Sequence, residues 1–228
     1  MKKRIFYTEL AYILGISILA LGTALMERAD FGVSMVVAPA YLFYLKISES
    51  IPFFSFGMAE YLLQGMILIL MMIILKRFRL AYLFSFVTAV IYGFILDGAM
   101  WITAILPGTG VAARIAFYVF GFLGCSLGVS LLFHTYISPE AYELWVKEMS
   151  RQRGIAIHRY KTGYDCVSCL IAVILSFLFF GFGHFEGIKL GTILCALCNG
   201  YVISRFTNIV EKKWEFKDGL SLRRLFEL

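Results

Sequence analysis

AYILGISILALGTAL, residues 11–25, and FYVFGFLGCSLGVSL, residues 117–131, carry the same residue types at the same spacing. Tyr12, Gly15, Leu21, Gly22 and Leu25 align with Tyr118, Gly121, Leu127, Gly128 and Leu131, each at an offset of 106 residues. The same offset takes Gly57 of FSFGMAEY to Gly163 of YKTGYDCV, and an offset of 102 takes Asp97-Gly98 to Asn199-Gly200. The pattern reads as two homologous units, about residues 5–105 and 112–207, followed by a tail over 208–228. If each unit crosses a bilayer three times, the odd number of crossings inserts the second copy upside down, as in many secondary transporters.

Composition supports the crossings. The 228 residues are 61% hydrophobic and only 16% charged, with a mean hydropathy of +0.82, outside the range of soluble domains. A spanning helix needs about twenty mainly apolar residues. Six segments qualify, roughly 5–26, 54–75, 80–105, 112–134, 163–182 and 187–207. The first has a basic start but no small-residue cleavage site before Met26, so it reads as a retained helix. Between the first two spans, VSMVVAPAYLFYLKISESIP is apolar but interrupted by Pro39 and Pro52, which predicts a short re-entrant or interfacial helix. After the fourth span, SPEAYELWVKEMSRQRGIAIHRYK predicts a basic amphipathic helix with Ser138 as N-cap and Pro139 at its first position. The expected fold is an all-α membrane protein: one domain of six transmembrane helices in two inverted three-helix repeats, with short interfacial helices.

Seventeen of the 21 Lys and Arg residues fall at the termini and in the second-to-third and fourth-to-fifth connections. The other connections hold only Arg28, Lys46, Arg114 and Lys189. This asymmetry predicts both termini in the cytoplasm, in contact with the lipid bilayer, and the clusters' placement argues against nucleic acid as the partner.

LGTALMERADFGVSMVVAPAYLFYL, an apolar helix, the basic turn KRFR and an Asp-containing helix together resemble the YczE/YitT-like group of small bacterial membrane proteins. The likeness is best over about residues 14–105, and YISPEAYELWVKE matches in outline. It implies a multi-pass bacterial inner-membrane protein and supplies no catalytic or binding residues.

Carboxylates at bilayer depth are expensive and need a partner, water or a proton. Asp97 lies well inside the third span, Glu60 in the first turns of the second, and Glu27, Arg28 and Asp30 at the outer end of the first. These are expected to share one outward polar chamber, with Glu27 and Asp30 as an outer gate and Arg28 paired with a carboxylate. Inversion places Asp165, Asn199 and His134 in a matching inner cluster, His134 falling at the repeat position of Arg28. Asp97 or Asp165 would carry a coupling proton, and Arg28 or His134 would meet an anionic solute. The competing reading treats these groups as structural: capping, or satisfied by neighbouring helices. Glu9 is expected at headgroup depth. Ser34 and Ser138 are candidate caps whose free N–H groups favour anions.

Cys166/Cys169 and Cys195/Cys198 form two C-x-x-C pairs on apolar helices. A four-thiolate metal site is geometrically allowed, but buried small residues explain the pattern better, so no metal and no cofactor is expected. Nucleotide fingerprints, H-E-x-x-H and nucleophile-elbow motifs are missing from the sequence, and no enzyme is expected. The sequence favours a small-solute transporter or permease of unknown substrate, with a homodimer allowed. The alternative is a non-transporting membrane factor that binds or regulates a cytoplasmic partner through its basic loop and tail.

Overall fold

The computed structural model describes residues 3–108, 110–182, 188–220 and 223. Lys2, Arg224, the start of the sixth expected span at 187 and most of the tail beyond 220 lie outside these. Six helices are long and apolar enough to cross a membrane: α1 (Thr8–Ala29), α3 (Phe56–Leu75), α4 (Leu80–Ile105), α5 (Val111–Leu132), α7 (Ile157–Phe180) and α8 (Leu190–Lys213). Two shorter helices, α2 (Ala38–Ser48) and α6 (Ala141–Arg153), follow α1 and α5. Strand β1 (Arg4–Tyr7) pairs in parallel with β2 (Trp214–Lys217). Both ends of the described chain therefore lie on one side, the terminal face, opposite a far face. The expected tail beginning at 208 is thus helix to Lys213 and then strand. The fifth span starts six residues before the sequence-based boundary, because His158 and Lys161 sit in its first turns.

Helices α1 and α5 cross antiparallel at the centre, where glycine is required. A Cβ on Gly22 would lie 2.7 Å from the Gly121 carbonyl oxygen and from the Cys125 nitrogen; one on Gly128 would lie 2.7 Å from the Gly15 oxygen. Only backbones without side chains can approach this closely, the small-residue packing typical of helices in lipid. Helix α4 flanks α1 and α8 flanks α5; α3 packs on α4, and α7 on α8. Helices α2 and α6 both pack against α3 and α7, closing the bundle.

The chain reaches α2 and α6 through segments that turn back into the bundle. Non-helical backbone survives at that depth only when its polar groups are satisfied by protein. Thr192 Oγ1 donates to the Val33 carbonyl at 2.9 Å, and the Gly191 N–H to that of Phe31 at 3.0 Å. On the other segment, Ser85 Oγ donates to the Pro139 carbonyl at 2.6 Å and Thr88 Oγ1 to that of Ser138 at 2.9 Å. Neither serine is a side-chain cap: α2 and α6 start after Val37 and Glu140, and Ser34 Oγ faces Met35 Sδ.

Candidate functional site: a buried charged cluster

Where the two re-entrant segments meet, a cavity of about 30 Å³ is lined by Thr23, Ser34, Tyr92, Glu140, Glu143, Lys161 and Asn199, among others. Around it the bundle buries Glu60, Gln64 and Asp165 completely, and Glu140, Glu143 and Lys161 to within 3%. Four carboxyls thus share a buried interior with one lysine.

Each group is positioned by a different element. Lys161, in the second turn of α7, donates to Glu143 Oε1 of α6 at 2.8 Å and lies 3.1 Å from Asp165 Oδ1, one turn further along α7. Asn199 of α8 lies beside Asp165 and accepts from Ser126 Oγ at 3.0 Å. On the opposite side, Glu60 Oε2 accepts from Tyr142 Oη at 3.0 Å and from Gln64 Nε2 at 3.3 Å. The Ala141 N–H can only donate, and it donates to Gln64 Oε1 at 3.0 Å. That contact fixes which end of the amide is nitrogen, so Nε2 points at both Glu60 and Glu140 Oε2, the latter at 3.5 Å. Glu60 Oε1, Glu140 Oε1 and Glu143 Oε2 are buried without a hydrogen-bond partner among the described residues. Burial, with Glu60 and Glu143 nearby, pushes the Glu140 carboxyl well above the usual carboxylate range.

Access differs between the two faces. On the terminal face a vestibule of about 200 Å³ descends between α7 and α8, from His134, His158 and Glu211 to Lys161. His134 Nε2 lies 3.1 Å from Glu211 Oε1 at its mouth, and the ring stacks on Phe216. On the far face Asp30, in the left-handed conformation that ends α1, meets Arg114 Nη2 at 2.9 Å and Lys189 Nζ. Arg114 also covers the Phe31 ring at 4.8 Å, and Tyr118 Oη donates to the Gly191 carbonyl at 2.6 Å. These contacts tie the end of α1 to the starts of α5 and α8.

The expected outward chamber is therefore dispersed. Asp97 accepts from Ser55 Oγ at 2.7 Å and from the Gly57 N–H at 2.9 Å, so its carboxylate caps the start of α3. It does not line the cavity that holds Asn199. Glu27 accepts from Tyr41 Oη at 3.4 Å. Arg28 donates to the Leu106 carbonyl at 3.3 Å and, among the described residues, has no carboxylate within ion-pair distance. Of the outward set, Glu60 alone joins the central cluster, with Asp165 and Asn199 from the inner set; His134 stays at the vestibule mouth. Glu9 is tied down rather than solvated, accepting from Tyr136 Oη at 2.8 Å and from the N–H groups of Gly219 and Leu220. No three His, Cys, Asp or Glu groups gather closely enough to hold a metal among the described residues, and Cys166 and Cys198 are exposed on the helix surfaces. The four-thiolate alternative is therefore not assembled.

Glu140, Tyr142, Glu143 and Lys161 escape the sequence reading because their segment looks like amphipathic surface, and Gln64 escapes it as a neutral amide within an apolar span. Two signals were available. SPEAYE occupies the repeat position of a segment already read as re-entrant, and Lys161 precedes Asp165 by one helical turn.

No curated protein and no solved structure matches this chain significantly. Residues 6–208, the whole bundle except the last turn of α8, match a family of unknown function, DUF6198, and the chain belongs to that family.

Proposed function

We propose that the protein is a small-solute transporter of the bacterial cytoplasmic membrane, built from two inverted three-helix repeats with both termini in the cytoplasm. The observation that carries this reading is the buried cluster of four carboxyls and one lysine, with Lys161 lining both the central cavity and the vestibule of the terminal face. Ionised groups cost several kcal/mol each to bury, so a sequence keeps them at bilayer depth mainly for solute or ion handling. Alternating access needs such a centre to communicate with one face at a time. This conformation corresponds to the state open toward the termini.

The pattern of contacts supports the inverted repeat. An offset of 106 turns the contact Gly15·Gly128 into Gly121·Gly22, which is the other close approach of the same crossing. Offsets of 106 and 107 turn Val33·Thr192 into Pro139·Ser85. Offsets of 105 and 107 turn Gly57·Gly93 into Thr162·Gly200. In this register Asn199 is the counterpart of Tyr92, and the alignment of Asp97 with Asn199 is out by more than a helical turn. Glu60 then corresponds to Asp165, so each repeat contributes one fully buried carboxyl. The likeness of residues 14–105 to YczE/YitT-like proteins agrees with a bacterial origin.

In the proposed cycle, solute enters the vestibule, Lys161 exchanges its contacts with Glu143 and Asp165 for contact with the solute, and the clasp at Asp30 opens as the vestibule closes. The rival reading, partner binding through the basic loop and tail, has less support at the tail, where residues 214–217 are already engaged by β1. Uptake of a panel of metabolites and ions into proteoliposomes, against protein-free vesicles, tests the proposal. Uptake of at least one solute above the protein-free level is expected, and equal uptake of every one would sink it.

A further inference from the structure

The transport reading leaves unassigned what neutralises Glu60 and Glu140. Lys161 is committed to Glu143 and Asp165, and Gln64 Nε2 is the group that bridges the other two carboxyls. Two oxygens held on one amide nitrogen, at 3.3 and 3.5 Å, are close enough that two full negative charges in a buried site repel strongly. Each carboxyl keeps one unpartnered buried oxygen, and Glu140 lines the cavity. Among the described residues no cation hydrogen-bonds either carboxyl, although Lys161 attracts Glu140 across the cavity that both line. Tyr12 of α1, Tyr92 of α4, Cys125 of α5 and Tyr142 of α6 are neutral hydroxyls or a thiol, and Glu143 is a further carboxyl.

We propose that Glu60 and Glu140, bridged by Gln64, hold a single exchangeable proton at neutral pH and form the proton-binding pair that couples solute movement to a proton gradient. The proton resides on Glu60 Oε1 or Glu140 Oε1, the two free positions, and leaves one ionised carboxylate to accept from the Gln64 amide. It reaches them from the terminal face. The vestibule ends at Lys161, which also lines the central cavity together with Glu143 and Glu140. Coupling rests on the transport reading, whereas the presence of the proton does not.

Infrared spectroscopy of the reconstituted full chain tests the pair with no solute added. A protonated buried carboxyl has a carbonyl stretch distinct from that of a carboxylate, and it shifts when D₂O replaces H₂O. The expected result is such a band in the wild type at neutral pH, undiminished in Glu60→Gln and in Glu140→Gln, where the remaining carboxyl is still buried and takes the proton, and lost when both are replaced. Asp97→Asn keeps the band. A wild type with no band at neutral pH overturns the proposal, and that measurement does not depend on any variant folding. A band that survives when both glutamates are replaced overturns it too, by placing the proton elsewhere. Loss of solute uptake with the band intact would leave the pair standing and remove only its use in transport.

Discussion

Two groups of charges in this protein invite comparison. Glu27, Arg28 and Asp30 crowd into four residues of sequence, yet their side chains separate to Tyr41, the Leu106 carbonyl, and the Arg114 and Lys189 cations. Glu60, Glu140, Glu143, Lys161 and Asp165 are spread over about a hundred residues and converge on one cavity-lined interior. Density along the chain therefore says little about density in space. The first group ends a helix at a surface, where Asp30 is 63% exposed and water shares the electrostatic work. The second group is at most 3% exposed, so each charge depends on its neighbours.

The largest expected effect comes from breaking that dependence. Lys161→Met leaves Glu143 and Asp165 without their cation in a buried site and should cost about 3–5 kcal/mol, as breaking buried ion pairs does. Thermal unfolding in detergent would read it as a large drop in midpoint; a variant as stable as wild type would mean that the interior is wet. pH probes the same region differently. Because the folded state holds the Glu140 carboxyl above its ordinary range, it binds more protons than the unfolded chain over the interval between the ordinary and the raised value. Stability should therefore fall as pH rises through that interval, and the slope should be shallower in Glu140→Gln. An unchanged slope would show that Glu140 is not perturbed by its surroundings.

Smaller effects are expected at the far face. Asp97→Ala removes a cap made to Ser55 and Gly57 and should cost about 1 kcal/mol, as lost helix caps do. A cost near that of Lys161→Met would erase the distinction between the two regions. Asp30→Asn should cost no more than about 1 kcal/mol, in line with exposed ion pairs. Its expected signature is kinetic: a loosened clasp should raise labelling of a cysteine placed at Ser34 by a membrane-impermeant thiol reagent added on the far side. Unchanged labelling would show that the clasp does not gate that side.

Legibility in the sequence followed the same physics. The six spans were readable because each is an apolar run of about twenty residues, whereas the glycines of the α1–α5 crossing read only as repeat markers. Glu60, Asp165 and Asn199 were visible as polar exceptions within such runs. Glu140, Glu143 and Lys161 lay in a stretch with five basic residues whose pattern is also that of a surface helix, and nothing in its periodicity says that its first turn is buried. Asp97 misled for the opposite reason. It is an exception in an apolar run, but the groups that satisfy it, Ser55 and Gly57, sit 42 and 40 positions away at the start of another helix.

The central claim, that the converged cluster and not the crowded one is where transport happens, is tested most directly by uptake in proteoliposomes of one solute that the wild type moves. Glu60→Gln should abolish that uptake, whereas Asp97→Asn should retain it. Uptake retained in Glu60→Gln and lost in Asp97→Asn would contradict the account.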